Sequence, residues 1–323
     1  MSKYIGIDIS KQTFDAFFIK ENQKYEFRKF DQTQKGFNQL VKLGKDKIYV
    51  MEATGPYYLK LATFLHSKNI RVAVVNPLVI KRFSQMELQR AKTDKKDAKT
   101  IHDYAKLKGV DLWSPPKKEI SQMQQIITAL ELLNKQHNSS SNQLKAFVIS
   151  GIIDSQVKKS IQSTIKKIEK EKKQLEHRLN KIIEENFANT KQLLVSIPGI
   201  GDKGSAILIA ITNNFEKFIH YKQLIAYVGF SPRVYKSGTS VNGKGRICKM
   251  GKSSVRRIMF MCSMSAKRYN NKCAEFSKKL EAKGKHNRVI KVAIANKLLK
   301  IAFAVVKNNT CFDNNHVSLK NVA

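Results

Sequence analysis

The stretch Tyr4-Ile5-Gly6-Ile7-Asp8-Ile9 predicts a short apolar strand that carries one carboxylate. Two more strands are predicted at residues 13–20 and 25–30, joined by a polar turn at 21–24. Helix and strand signals then alternate, with a helix at 33–43, a strand at 47–52, a helix at 57–67 and a strand at 71–75. Three successive strands followed by this alternation predict an α/β domain with a mixed sheet flanked by helices.

Four acidic residues of this region form a candidate cation site. Asp8 lies inside an apolar strand, where an unpaired charge is costly to bury, and Glu52 ends another strand. Thr93 is the predicted N-cap of a helix, and Asp94 and Asp97 share one face of its first turn. Converging acids repel each other unless hard cations such as Mg²⁺ lie between them. Singly, each acid has a simpler explanation, such as the preference of acids for a helix N-terminus; together they predict a metal site.

The hydrophobic period changes in the middle of the chain, where two long helices are predicted on either side of a break at Ser150-Gly151. The second helix follows a heptad frame with Lys172 in its one polar core slot. Its apolar heptad positions are Ile161, Ile165, Ile168, Leu175, Leu179 and Ile182. These heptads predict a coiled coil, and an ordinary helical hairpin is the alternative.

The last third is predicted to be mainly α-helical, with a glycine-rich loop at 238–251 and helices at 253–283 and 287–307. We therefore predict three parts: residues 1–112, a helical linker at 113–187, and a C-terminal domain at 188–323.

The charge balance points to a nucleic-acid partner. The chain has 323 residues, with 60 Lys and Arg against 25 Asp and Glu, a formal net charge of +35. Residues 228–300 alone carry 19 Lys and Arg and only two acids. Several are arginines, whose guanidinium group can donate two hydrogen bonds to one phosphate. This favours nucleic-acid binding over a solvated lysine-rich surface or a membrane surface.

Composition excludes several other classes. The apolar run at 206–211 is far shorter than the roughly 20 residues needed to cross a bilayer. Residues 1–8 look like a strand and not a signal peptide. Four cysteines without a Cys-x-x-Cys pair exclude a zinc ribbon or a disulfide framework and fit a reducing compartment. We expect a cytoplasmic protein that does not associate with membranes.

Two motifs in the C-terminal part suggest chemistry on nucleic acids. Ile197-Pro198-Gly199-Ile200-Gly201 feeds a helix and resembles a helix-hairpin-helix turn, in which backbone N–H groups approach a DNA phosphate; a tight structural turn is the alternative. Ser237 lies in a loop dense with cations that could stabilise its attack on a phosphodiester. An ordinary Ser-Gly turn is the competing interpretation, and no histidine lies in the loop to activate the serine as in hydrolases.

Three motifs together resemble the signatures of the DEDD transposases of bacterial insertion sequences, the Piv-like, bridge-RNA-guided recombinases. They are Gly6-Ile7-Asp8-Ile9-Ser10-Lys11, Glu52-Ala53-Thr54-Gly55 and Lys92-Thr93-Asp94-Lys95-Lys96-Asp97-Ala98. The stretches at 198–206 and 237–257 resemble the family's C-terminal transposase domain, so the resemblance covers nearly the whole chain. One departure is Cys248, where Thr or Ser commonly precedes the lysine.

The resemblance implies a RuvC-like, RNase H-type first domain in which Asp8, Glu52, Asp94 and Asp97 bind Mg²⁺, with Mn²⁺ as a substitute. It also implies a C-terminal serine nucleophile that joins covalently to DNA. Position in the motif points to Ser237, and nearby Ser240 is the alternative.

The resemblance further implies donor and target DNA, a noncoding bridge RNA and a homo-oligomer, either a dimer or a tetramer. The predicted nucleic-acid contacts are two turn glycines and seven cations: Gly199, Gly201, Arg233, Lys236, Lys244, Arg246, Lys249, Arg256 and Arg257.

Functions of other classes compete with this one. A metal-dependent RuvC-like nuclease, such as a junction resolvase, would use water as nucleophile and form no covalent adduct. An actin-like sugar kinase or ATPase also begins with a strand like Gly6-Ile7-Asp8, but the sequence offers no convincing second phosphate loop. A non-catalytic nucleic-acid-binding protein would tolerate neutralisation of all four acids.

Overall fold

The structure is a computed structural model that describes residues 3–20, 23–88, 93–233, 235–237, 241–243 and 245–314, with the backbone only at 236, 237, 241 and 242. The chain divides into two compact units, Met1–Pro115 and Pro116–Ala323. No helix in the described ranges is both long enough and apolar enough to span a membrane.

The first unit is a mixed sheet with helices on both faces, as the strand and helix signals predicted. Its elements are β1 (Tyr4–Ile9), β2 (Thr13–Ile19), β3 (Tyr25–Asp31), α1 (Gln34–Val41), β4 (Ile48–Glu52), α2 (Tyr58–Ser67), β5 (Arg71–Val75), α3 (Pro77–Met86) and α4 (Asp94–Lys108). The strand order is β3-β2-β1-β4-β5. Neighbours on the β3-β2-β1 side are antiparallel, whereas β1, β4 and β5 are parallel.

Successive side chains of each strand point to opposite faces of the sheet, and both faces are buried. Ile5 and Ile7 of β1 pack in one cluster with apolar residues of α1 and α2, such as Leu40 and Leu61. Tyr4 of β1 belongs to the opposite cluster, with side chains of β4, β5, α3 and α4. Residues of β1 with even numbers therefore face α4, and Asp8 is one of them.

Helix α3 was missed by the sequence analysis. Asn76 caps it, because its side chain accepts a hydrogen bond from the Leu78 amide at 2.9 Å, and Pro77 occupies the first turn. An Asn-Pro pair before an apolar run is the sequence signal of such a start. The N-cap of α4 is the predicted one, since Thr93 Oγ1 accepts from the Lys96 amide at 3.3 Å.

The second unit is mainly helical, as predicted, with two small strand pairs. Its elements are α5 (Lys118–Ile149), α6 (Ser155–Asn186), α7 (Ala188–Val195), α8 (Asp202–Thr212), α9 (Tyr221–Val228), β6 (Pro232–Arg233), β7 (Lys236–Ser237), β8 (Val241–Asn242), β9 (Arg246–Ile247), α10 (Ser253–Tyr269), α11 (Asn271–Ala282) and α12 (Asn287–Asn308). The predicted helix at 253–283 is in fact two helices. Asn270 ends α10 and caps α11, its side chain accepting from the Cys273 amide at 3.1 Å.

Helices α5 and α6 pack against each other within one chain. A short turn at 150–154 reverses the chain between them, and His137 Nε2 lies 3.1 Å from Glu169 Oε1. This arrangement is the helical hairpin that the sequence left as an alternative, and the coiled coil stays a prediction. Ile120 and Leu179 share a core with residues of α8 and α12, so the helical middle and the C-terminal part are packed together.

Candidate active site

Gly6 lets α4 lie directly on the sheet. A Cβ atom at this position would fall 2.2 Å from the carbonyl oxygen of Ala98 and 2.6 Å from the amide nitrogen of His102. Contacts this short to backbone atoms exclude any side chain at Gly6. The close approach places the first turn of α4, with Asp94 and Asp97, next to the strand that carries Asp8.

Asp8 and Glu52 come from neighbouring parallel strands. Gly6 of β1 is in register with Val50 of β4, so Asp8 and Glu52 lie two residues further along on the same face. Carboxyl ends of parallel strands meet at one edge of a sheet, which brings both acids there. The Thr54 hydroxyl donates a hydrogen bond to Glu52 Oε1 at 2.9 Å and fixes that carboxylate.

Asp8 is half-buried and lies in the electric field of the other three predicted acids. Burial, the largest cause, and the negative charges of Asp97, Asp94 and Glu52 together raise the pKa of Asp8 from 3.8 to about 6. Asp15 of β2 contributes to the same shift and was missed by the sequence analysis. It is the direct cross-strand partner of Asp8. Neighbours across antiparallel strands cannot be paired from sequence before the register is known.

The donor set suits a hard divalent cation, because all of its ligands are carboxylate oxygens. Where the structure describes side chains, no three Asp, Glu, His or Cys residues are grouped closely enough to hold a metal ion as they stand. The acids are nevertheless close enough for their charges to raise the pKa of Asp8, and an ion of charge +2 among them would cancel that repulsion.

In the second unit, the two glycines of the predicted helix-hairpin-helix turn differ. Gly199 has a φ of +108°, and a Cβ there would lie 2.5 Å from Cβ of Ala266 on α10. It therefore serves the tight structural turn that the sequence left as an alternative. Gly201 is the N-cap of α8, and among the described atoms nothing lies within 4 Å of its Cβ position. Its open side leaves the start of α8 free to meet an anion.

The cationic loop contains the predicted nucleophile. Ser237 lies in β7, where it pairs with Val241 of β8, and Lys236 precedes it in the same strand. Ser240 and Lys244 lie outside the described residues. Arg233 and Arg246 are directly opposed across β6 and β9, and both are exposed.

The remaining predicted cations have unequal surroundings. Arg256 Nη1 donates to the carbonyl oxygens of Val228 at 3.0 Å and Gly251 at 2.6 Å, so its guanidinium joins the end of α9 to the start of α10. Arg257 and Lys249 are exposed. Arg256 therefore stabilises the fold, whereas the side chain of Arg257 is accessible to solvent or a ligand.

Comparisons with known proteins agree with the motifs. A family model for transposases of the DEDD, IS110 type matches residues 5–151, and the model "Transposase IS116/IS110/IS902 family" matches residues 191–278. The chain is 34% identical to the pilin gene-inverting protein of Moraxella lacunata over 97% of this chain and 98% of that protein. The corresponding protein of Moraxella bovis is 33% identical over the same shares. The transposase for insertion sequence element IS1328 of Yersinia enterocolitica is 30% identical over 38% of this chain and 37% of its own. With both family models matched in order and full-length relatives above 30% identity, the chain belongs to the IS110 family of DEDD transposases.

Proposed function

We propose that this protein is the DNA recombinase of an insertion sequence and that it cuts and rejoins DNA through a phosphoserine intermediate. The observation that carries the proposal is the position of Asp8, where burial and the charges of acids from three other strands and helices together raise its pKa to about 6. The strand order β3-β2-β1-β4-β5, with its acids on one face, supports a RuvC-like, RNase H-type first unit. Relatives named as pilin gene-inverting proteins support a recombinase rather than a plain nuclease.

The acids prepare the phosphodiester for attack. Asp8, Glu52, Asp94 and Asp97 would hold Mg²⁺ or Mn²⁺, which supplies Lewis-acid polarisation of a phosphate oxygen. The hydrogen bond from Thr54 orients Glu52, and the contact of Gly6 with α4 fixes the spacing between Asp8 and the helix acids. The raised pKa of Asp8 requires that its proton leave before the carboxylate can act as a ligand.

Ser237 supplies the nucleophile, with Ser240 as the alternative. The serine oxygen forms a bond to phosphorus, and the bond from phosphorus to a sugar oxygen breaks. The serine proton ends on that sugar oxygen, which becomes a free hydroxyl. Attack by the hydroxyl of the exchanged strand reverses these steps and restores the serine. The phosphodiester energy is conserved, so no ATP is consumed.

Nucleic acid would bind along the cations of the second unit. The opposed pair Arg233 and Arg246 supports this, because like charges directly across a strand pair are unfavourable unless an anion neutralises them. The exposed side chains of Arg257 and Lys249 and the open N-terminus of α8 at Gly201 add contacts. We propose donor and target DNA, a bridge RNA and a dimeric or tetrameric assembly as partners; guide pairing would deliver the sequence specificity.

The decisive experiment looks for the covalent adduct. Labelled DNA carrying the element ends is incubated with protein and Mg²⁺, denatured, and resolved by electrophoresis with the Ser237→Ala and Ser240→Ala variants alongside. We expect an adduct in wild type and Ser240→Ala and none in Ser237→Ala. Cleavage of DNA without any adduct would favour the metal-dependent nuclease instead.

The role of the acids needs its own variant. Asp8→Asn is expected to abolish cleavage and keep DNA affinity in a binding assay, because the second unit is unchanged. Full activity of Asp8→Asn would refute the proposed role of the cation. Sequencing the RNA that copurifies from the host tests the bridge RNA, and absence of a recurrent structured RNA would count against it.

A further inference from the structure

The outer strand β3 carries two aromatic residues on the same face of the sheet as α4. Tyr25 and Phe27 lie two residues apart on this strand, so both side chains point to one face. Phe27 is the direct cross-strand partner of Phe17 on β2, and Phe17 is in turn opposite Gly6, which contacts α4. We call Tyr25 and Phe27 the aromatic surface of β3.

Helix α4 covers the inner strands of this face and leaves Tyr25 open. It packs on β1 and β2, where the rings of His102 and Phe17 have centroids 4.9 Å apart. Phe27 lies on the outer side of Phe17, also at 4.9 Å, and is half-buried. Tyr25 contacts both phenylalanines with centroids 6.3 Å apart, yet it is 72% exposed. An exposed ring held in place by two neighbours is a preformed surface for another flat, apolar group.

A row of lysines borders the aromatic surface. Lys95, Lys99 and Lys106 share one side of α4 with His102, because their spacings are 4, 3 and 4 residues. His102 faces the rings of β2, so this side of α4 is turned toward β2 and β3. All three lysines are exposed. Among the described residues, Lys99 and Lys106 form no ion pair with an acid.

A cavity connects the aromatic surface with the proposed cation site. Its volume is about 510 Å³, and its lining is Asp15, Phe27, Lys29, Thr93, Asp94 and Lys95. Burial raises the pKa of Asp15, and the charges of Lys29 and Lys95 oppose that rise. These two lysines therefore offset the acids of the cavity, and Lys99 and Lys106 provide the unbalanced positive charge beside it.

Aromatic rings beside a row of cations are typical of proteins that bind single-stranded nucleic acid. Unpaired bases stack on exposed rings, and lysines attract the phosphates between them. In a duplex the bases already stack on one another, so the rings offer a duplex little. The combination of an open tyrosine and unpaired lysines therefore favours a strand with unpaired bases.

We propose that Tyr25 and Phe27 bind unpaired bases of a DNA strand, that its phosphates lie along Lys99 and Lys106, and that the strand continues through the cavity to Asp94. This inference rests on the proposed function, because it takes DNA to be the substrate of the cation site. It adds that the DNA is locally unpaired beside that site and that the first unit contributes contacts of its own.

Affinities of the full-length protein for single-stranded and duplex DNA, measured by fluorescence anisotropy in EDTA, test the proposal. The probes are a labelled oligothymidylate of about 12 nucleotides and a duplex with a similar number of phosphates. The proteins are wild type, Tyr25→Ser, Tyr25→Phe and the matched control Tyr269→Ser. Tyr269 is 67% exposed, which is close to the exposure of Tyr25, and it ends α10 in the second unit.

We expect Tyr25→Ser to weaken binding of the single strand about fivefold or more and binding of the duplex less than about twofold. Tyr25→Phe keeps the ring and should stay within about twofold of wild type on both probes, as should Tyr269→Ser. A double variant with Lys99→Gln and Lys106→Gln should reduce the slope of log affinity against log salt by about 1.4 for the single strand.

Wild-type affinity of Tyr25→Ser for the single strand, or an equal loss for the duplex, would overturn the inference. So would an oligouridylate that binds this surface in place of DNA. An exposed outer strand can also pair with a second copy of the chain. A change of oligomeric state in Tyr25→Ser with unchanged DNA affinity would identify that occupant and overturn the inference.

Photocrosslinking keeps the proposal testable if thermal melting shows that Tyr25→Ser does not fold. Oligothymidylate containing 4-thiothymidine is irradiated with wild type, and the crosslinked peptides are identified by mass spectrometry. We expect a crosslink within β3, and crosslinks confined to the second unit would contradict the inference. If wild type forms the Ser237 adduct and Tyr25→Ser binds normally, only the aromatic surface is refuted. If wild type binds neither DNA probe, the proposed function fails as well.

Discussion

Gly6 of β1 and Ala98 of α4 touch through their backbones, and a Cβ atom on Gly6 would lie 2.2 Å from the Ala98 carbonyl oxygen. This contact sets the distance between α4 and the sheet. It thereby sets the separation between Asp8, two residues after Gly6, and Asp94 and Asp97, which precede Ala98.

Gly6→Ala is expected to lower the free energy of unfolding by about 2–3 kcal/mol, because α4 must move away from the sheet to admit the methyl group. The same movement should weaken Mn²⁺ binding, since it separates the acids. Urea unfolding and Mn²⁺ titration measure the two effects. Gly201→Ala is the control, because its Cβ position is open among the described atoms. Unchanged stability and metal affinity in Gly6→Ala would contradict the close packing.

The acid cluster predicts a pH dependence of stability in the absence of divalent cations. The pKa of Asp8 is about 6 in the folded chain against 3.8 ordinarily, so the folded state holds the proton more tightly than the unfolded state. Stability therefore falls as pH rises from about 4 to about 6 and stays lower above that range. Asp8→Asn removes this loss, and we expect it to be about 1–2 kcal/mol more stable than wild type at pH 8, after discounting for partial exposure.

Urea unfolding with EDTA at pH 4 and pH 8 measures that difference. The difference between the variant and wild type should be much smaller at pH 4, because Asp8 is protonated there in the folded chain and already partly protonated in the unfolded chain, where its pKa is 3.8. Adding Mn²⁺ at pH 8 should stabilise wild type only. A variant less stable than wild type at pH 8 would show that Asp8 makes a favourable contact instead.

The turn between α7 and α8 predicts opposite outcomes for its two glycines. Gly199→Ala combines a positive φ with a clash against Ala266 and should cost about 2–4 kcal/mol. Gly201→Ala should leave stability within about 1 kcal/mol. DNA affinity of Gly201→Ala is the informative measurement, since a methyl group at the start of α8 should weaken phosphate binding. Equal losses of stability in both variants would contradict the different surroundings of the two glycines.

Two adjacent arginines allow a separation of structure from binding. Arg256→Ala removes two hydrogen bonds to backbone carbonyls and should cost about 2 kcal/mol of stability. Arg257→Ala should leave stability unchanged, weaken DNA binding and reduce the slope of log affinity against log salt by about 1. Denaturant unfolding and binding at three salt concentrations test both, and an unchanged slope for Arg257→Ala would remove it from the interface.

Patterns within a few residues of sequence predicted most elements of the first unit. The strand at Arg71–Val75 follows from its β-branched residues, and the start of α4 follows from the capping side chain of Thr93. The four acids could be selected because a charge in an apolar strand or a pair on one helix face stands out in a sequence. Helix α3 had a usable signal in Asn76-Pro77 that was overlooked.

Other features depend on contacts between distant segments. The contribution of Asp15 to the raised pKa of Asp8 follows from the register between the two residues, which no local pattern of β2 reveals. The heptads of α6 predict an apolar stripe but do not identify the surface that covers it. In the structure, Leu179 and Ile182 at the end of that stripe pack with residues of α5 and the C-terminal helices. The different tasks of Arg256 and Arg257 likewise depend on which carbonyl groups the fold places beside them.

The four predicted acids, Asp8, Glu52, Asp94 and Asp97, fall between residues 8 and 97, inside a unit that ends at Pro115. The proposed cation site is thus encoded in one continuous portion of the gene, ahead of the long hairpin and the basic C-terminal helices. Substitutions in the later portion can therefore change the proposed nucleic-acid contacts and leave the four acids unchanged.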